Sequence, residues 1–368
     1  MIDEDELKPK LYGLTKSNRA GSDLWGKNQF NSTFPAALAC WMRDKKLMPV
    51  YLALNENGSK ISLGETSFDE VFGSSKPNSA LTFNFESAFE PFNPYVTDQL
   101  DHIDLVIKDE SLPKSAQWLR ALEVKLTVLP DSTTCELSDE TMWGSELVIR
   151  PDSTSYAALS IYHSLLPSIK EARKLLEPTA NKIEHWTSAA EILQHRNEII
   201  STIETFLRTF KKFQIPFLIQ PIWKTRGKSP QLDDHSFDIF VWSNFALCRV
   251  FVDQAKAEKP SKKVSRYLRA CARILRCLFE LTTKGNTNIS RIYRSMDFGN
   301  QTDKEFALSG SLTNSYMNGP RLSKPAVRKE ALNEIILNGG EKQLSPERRF
   351  DATIFFTAQH LFENKRKQ

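Results

Sequence analysis

The chain has 368 residues, 40% of them hydrophobic and 26% charged, which is the make-up of a soluble globular protein of one large domain or two ordinary ones. Lys and Arg number 49 against 45 Asp and Glu, a net charge of +4, so the overall balance does not mark a polycation and any nucleic-acid affinity must come from how charge is distributed. No apolar run approaches the roughly 18 residues of a membrane span, and the acidic opening MIDEDELKPK is unlike a secretory signal. The five cysteines form no CxxC pair, which points to reduced thiols in a cytoplasmic protein without structural zinc.

In chain order, residues 1–30 are polar and irregular, and 34–41 (FPAALACW) reads as a short helix. A hairpin follows: an apolar strand at 50–54, a turn at Asn55-Glu56-Asn57-Gly58, and a return strand at 61–63. Residues 65–73 (ETSFDEVFG) read as a short capped helix, and 75–79 as a loop. In 81–95 (LTFNFESAFEPFNPY) the phenylalanines 83, 85, 89 and 92 read as core. Glu86 and Glu90, four apart, are expected to share one helix face.

The most informative stretch is 98–131, DQLDHIDLVIKDESLPKSAQWLRALEVKLTVLPD. Two apolar runs, 102–107 and 121–129, carry charge where a buried strand avoids it: Asp104 in the first, Glu123 and Lys125 in the second. Side chains alternate on a strand, so Glu123 and Lys125 point to one face. Ser111 and Pro113 mark a turn between the runs. Pairing of the runs would bring Asp104 beside Glu123. Two carboxylates are hard oxygen ligands suited to Mg2+, and an adjacent lysine can orient a water or stabilise charge on a phosphate. Residues 98–152 hold 12 acids against 5 bases, a balance that a bound cation would explain. A solvated hairpin with an exposed Glu/Lys pair is the plainer alternative.

Beyond it, 155–176 is helical with a break at Pro167, and 183–213 is helical with Ile199, Ile203, Phe206, Leu207 and Phe210 in a stripe. His185 and His195 lie there, and a lone helical histidine is an ordinary surface or core residue. Residues 216–223 and 237–242 read as strands. The polar segment between them, with Lys224, Arg226 and Lys228, is either a DNA-contacting loop or a solvent loop. Residues 261–296 carry nine Lys/Arg and one acid. Within the helix at 266–281, Arg266, Arg269, Arg273 and Arg276 form one narrow face opposite Leu268, Cys271, Leu275 and Leu278. An outward cationic face of this kind would suit DNA phosphates, and Arg291 and Arg294 extend it through a loop. Polar loops around 286–320 are candidates for base contacts. A helix is expected at 326–337, ended by Gly339-Gly340. Residues 344–362 combine acid/base pairs with an apolar run. With no repeat, low-complexity tract or clean linker, one α/β domain spanning 1–368 is the simplest organisation, with a core at about 45–150 and a helical, DNA-contacting part at 151–368.

The spacing of Asp104, 18 intervening residues and Glu123-Val-Lys125 resembles the PD-(D/E)XK nuclease signature. Together, HIDLVI (102–107), ALEVKLTVLPD (121–131) and SPERRFD (345–351) resemble the HindVP/HgiDI group of type II restriction endonucleases. The proline usual before the first acid of the signature is replaced by Ile103. The resemblance implies a mixed central sheet flanked by helices with large helical insertions. It implies a homodimeric, Mg2+-dependent enzyme cutting double-stranded DNA at the palindrome GRCGYC, alongside a methyltransferase that acts on the same site. It makes Asp104 and Glu123 metal ligands and Lys125 the water-orienting residue, with Glu86 or Glu90 a candidate additional acid. A repair or structure-specific nuclease of the same fold is a second reading, and a DNA-binding protein without catalysis a third. No GxGxxG, Walker, HExxH or GxSxG motif is present.

Overall fold

The computed structural model describes residues 48–73, 80–125, 127–130, 147–225, 232–299 and 306–308. β1 (Val50–Leu54) alternates buried and half-buried positions, as a strand with one face on a core does. β2 (Ile61–Glu65) returns antiparallel to it. At the turn between them Gly58 has φ 65°, and a Cβ there would lie 2.7 Å from the Arg208 Cα. Only glycine meets both the left-handed turn and that backbone approach. α1 (Phe68–Phe72) begins in a capping box between Ser67 and Glu70 and ends at Gly73 with φ 79°.

β3 (Leu81–Ser87), β4 (Ile103–Asp109) and β5 (Trp118–Val124) form an antiparallel meander. The helix expected to carry Glu86 and Glu90 on one face is not there. Glu86 belongs to β3, and Glu90 opens a 3-10 turn at Glu90–Tyr95. Pro91 and Pro94 remove the donors a regular helix needs, and the apolar alternation at Leu81, Phe83 and Phe85 fits a strand.

β6 (Thr127–Pro130) and β7 (Leu147–Ile149) precede α2 (Pro151–Ser164), α3 (Ile169–Ala180), α4 (Ala189–Gln194) and α5 (Arg196–Phe210). The break expected at Pro167 is a 3-10 turn at Leu166–Ser168. β8 (Pro216–Thr225) and β9 (Leu232–Ser243) form an antiparallel ribbon longer than the sequence suggested, with Thr225 paired to Leu232. Much of the expected 224–236 loop is therefore strand. α6 (Asn244–Ala257), α7 (Arg266–Lys284), α8 (Ile289–Ser295) and β10 (Phe306–Leu308) complete the described elements.

The sheet has eight strands among the described residues, with β2-β1-β9-β8-β5-β4-β3 in order and β6 also on β8. It is mixed: β1/β9, β5/β8 and β6/β8 are parallel, the other pairs antiparallel. β5 and β6 meet β8 in one register, Glu123 opposite Leu218 and Thr127 opposite Ile222. They act as one long line crossing the Lys125 position. The expected α/β class, a mixed sheet with flanking helices and large helical insertions, is what the chain forms. α7 is the hub of the helices, touching α2, α3, α5, α6 and α8. Cys248, Cys271 and Cys277 are buried. Among the described residues no helix is long and apolar enough to cross a membrane. The expected helices at 34–41 and 326–337 and the SPERRFD run lie outside the described residues.

Candidate active site

The β4–β5 ladder sets Leu105 opposite Leu122. One step outward puts Asp104 across from Glu123, on the same sheet face. The Val124 N–H donates to Asp104 Oδ2 at 2.8 Å, which fixes the carboxylate against the facing strand. Past Val124 the line continues on β8, where the Lys125 N–H donates to the Ile219 carbonyl at 3.0 Å. Strand geometry therefore persists through Lys125 and returns its side chain to the face of Glu123. Its Nζ pairs with Glu123 Oε1 and lies 3.7 Å from Asp104 Oδ2.

The three side chains are mostly enclosed, with 18% of Asp104, 9% of Glu123 and 22% of Lys125 exposed. Burial, followed by the Glu123 charge, pushes the Asp104 carboxyl up to about 7, against the pull of Lys125 and the Val124 N–H. Burial alone would lower the Lys125 ammonium, but the Glu123 and Asp104 carboxylates outweigh it and raise Lys125 above the ordinary lysine range. Lys125 is thus a cation at neutral pH, held between two acids.

Helix α2 closes the site from the side. Ser153, in its first turn and buried, donates from Oγ to Glu123 Oε1 at 2.7 Å. Arg150, exposed at the N-cap, opposes the charge of Lys125. Tyr156, buried one turn on, donates to the Asp101 carbonyl and accepts from the Phe89 N–H at 3.4 Å. Sequence reasoning missed these three. The stretch Arg-Pro-Asp-Ser reads only as a helix start, and nothing local says that the helix aims at Glu123.

Phe85 pairs with Leu105 and Ser87 with Ile103, so the register places Glu86 opposite Asp104. Its exposed carboxylate adds a small upward push on Asp104, and its φ of 43° is rare for a residue with a side chain. Glu90 is exposed at the head of the 3-10 turn. Among the described residues no group of three or more His, Cys, Asp or Glu is gathered as a metal cage. The donor chemistry nevertheless fits a hard divalent cation: two facing carboxylates, already drawn to one positive charge at Lys125 Nζ.

The basic face of α7 is not an outward surface. Arg269 and Arg273 are 1% and 4% exposed. Arg269 donates to the Asp297 carbonyl at 3.3 Å and Arg273 to the Tyr293 carbonyl at 2.7 Å. The reason is that α8 and the segment after it lie across these two arginines and bury them. The single acid of the basic run, Glu280, also sits one turn from Arg276 and pairs with it at 3.2 Å and with Arg291 at 3.1 Å. Arg266 is half-buried and Arg294 exposed. Arg291 and Arg294 lie on α8 rather than in the expected loop. Lys224 lies on β8 opposite Leu129, and Arg226 lies outside the described residues.

The HindVP restriction endonuclease family matches residues 25–362 of the chain. The type II restriction enzyme HgiDI of Herpetosiphon aurantiacus is 36% identical over 358 residues, covering 97% of this chain and 98% of that protein. The probable type II restriction enzyme HindVP of Haemophilus influenzae is 34% identical over 353 residues, covering 95% and 94%. No solved structure matches the chain significantly. With a family match that runs almost end to end, and relatives matched over nearly their whole lengths, the chain belongs to the HindVP restriction endonuclease family.

Proposed function

We propose that the chain is a type II site-specific deoxyribonuclease that hydrolyses phosphodiester bonds of double-stranded DNA with Mg2+ as cofactor. The observation that carries this reading is the meeting of Asp104, Glu123 and Lys125 on one sheet face. Asp104 and Glu123 would hold the cation. When bound, it would supply Lewis-acid chemistry, neutralising phosphate charge and making a bound water more acidic. Lys125, kept protonated by its two neighbours, donates hydrogen bonds that orient the attacking water or a non-bridging phosphate oxygen. Water adds to phosphorus, the bond to the 3′ oxygen breaks, and the products are a 5′-phosphate and a 3′-hydroxyl. The Val124 N–H keeps Asp104 from rotating out of line.

Membership of this family supports a short palindromic target such as GRCGYC, read by a cytoplasmic homodimer whose two-fold matches that of the DNA. A methyltransferase acting on the same site would complete a restriction-modification system. Of the expected DNA-contacting cations, the exposed Arg294 and half-buried Arg266 are the ones we assign to backbone phosphates, with Lys224 and Arg226 as further candidates.

The test is digestion of a sequenced plasmid by the wild-type chain and by Lys125→Ala, with Mg2+ or with EDTA. Discrete Mg2+-dependent bands that the variant loses are expected, and mapping their ends gives the site. A smear would mean a nuclease without a fixed site. DNA binding without cleavage in Mg2+ would mean a binding protein.

A further inference from the structure

We infer that Ser153 is a positioning residue for Glu123, setting the orientation of that carboxylate for metal binding; this rests on the nuclease reading above. The bond is short and enclosed: Ser153 Oγ donates to Glu123 Oε1 at 2.7 Å, and both residues are buried. Lys125 Nζ engages the same oxygen. Lys125 has a long, flexible stem and is shared with Asp104, so it cannot by itself define how the carboxylate is turned. A hydroxyl on a helix can.

The geometry of α2 makes that hydroxyl a fixed point. Pro151 opens the helix, and the Thr154 N–H donates to the Arg150 carbonyl at 3.2 Å to close its first turn. One to two turns further, Tyr156, Ala157 and Ile161 are buried in the core. Tyr156 also ties α2 to Asp101 and Phe89, in the segments leading out of β3 and into β4. The donor to Glu123 and the strand carrying Asp104 are therefore braced by one helix. Groups that orient a metal ligand in this way matter nearly as much as the ligand, and their removal typically costs about 10- to 100-fold in metal affinity or activity.

The experiment compares wild type, Ser153→Ala and Glu123→Gln by three readouts. These are affinity for Mn2+ alone, from the EPR signal of the free ion, plasmid cleavage against Mg2+ concentration, and the thermal midpoint without metal. Ser153→Ala is expected to weaken Mn2+ binding and raise the half-saturating Mg2+ by about 10- to 100-fold, with KM for DNA and the metal-free midpoint unchanged. Wild-type Mn2+ affinity and Mg2+ dependence in Ser153→Ala would overturn the inference, and so would activity lost only in step with the thermal midpoint. Glu123→Gln separates the two levels. If it loses Mn2+ binding and cleavage while Ser153→Ala keeps both, Ser153 alone is excluded. If Glu123→Gln keeps both, the ligand assignment beneath the inference falls as well.

Discussion

Arg273 on α7 donates to the carbonyl of Tyr293 on α8 at 2.7 Å, and its guanidinium lies over the ring of the same tyrosine, 4.0 Å from the centroid. One side chain thus makes a hydrogen bond and a cation–π contact to one residue, out of solvent. Arg269 and Arg273, in the middle of the α7 stripe, are an internal clamp that fastens α8 and the segment after it to the hub of the helical layer.

The clamp predicts that Arg273→Ala destabilises the fold without touching the electrostatics of DNA binding. Truncation leaves the Tyr293 carbonyl without this donor, at a cost of about 1–3 kcal/mol. Urea unfolding should show that loss, while the slope of log affinity against log salt stays at the wild-type value. Arg294→Ala should do the reverse, with unchanged stability and a slope smaller by about one. A flattened slope in Arg273→Ala would put that guanidinium on phosphate after all.

Asp98 gives a second handle on the same junction. Its carboxylate accepts from the Ile289 N–H at 3.1 Å and the Ser290 N–H at 2.7 Å, so it caps α8 from a distant part of the chain. The Thr97 N–H donates to the Thr287 carbonyl at 3.0 Å and the Thr287 N–H to that of Tyr95 at 2.9 Å. Asp98→Ala should cost about 0.5–2 kcal/mol, the range for a lost cap. Amide exchange should quicken in α8 first. Uniform exchange across the chain, with no preference for Ile289–Ser295, would argue against the cap.

His163 supplies a pH dependence away from the candidate site. Its ring shares a 2.9 Å hydrogen bond with Tyr95 and is packed against Phe89 and Phe92. Burial lowers its folded pKa below the ordinary histidine value, so the unfolded chain binds the proton more readily. The neutral ring's contribution is full above the unfolded pKa of about 6.5 and is lost as pH falls from there through the folded pKa. Urea midpoints at pH 7.5 and 5.5 should therefore differ more for wild type than for His163→Asn. Equal differences would show that this histidine is not linked to folding.

Buried thiols make a fourth prediction. Burial pushes Cys248 up to about 12 and Cys271 higher still, and the thiolate is the reactive species. At pH 8 both should resist alkylation in the native protein and react within minutes in guanidinium, as peptide mass spectrometry would show. Rapid native labelling of Cys271 would mean that α7 opens locally.

The sequence by itself determined that three charged side chains meet on one sheet face, because the logic of that meeting is local. Asp104, Glu123 and Lys125 lie on neighbouring strands of a meander, so period-two alternation and a short connection suffice to bring them together. The hairpin at 50–63 and the Pro167 break were legible for the same reason. Amphipathic spacing on α7 showed that one face is polar, but not what covers it. Only the tertiary structure laid α8 over that face and turned Arg269 and Arg273 from surface cations into buried donors. Ser153 and Glu123 stand 30 residues apart, and Asp98 and Ser290 stand 192 apart. Contacts of that span depend on how elements pack in three dimensions, and no periodicity along the chain encodes them.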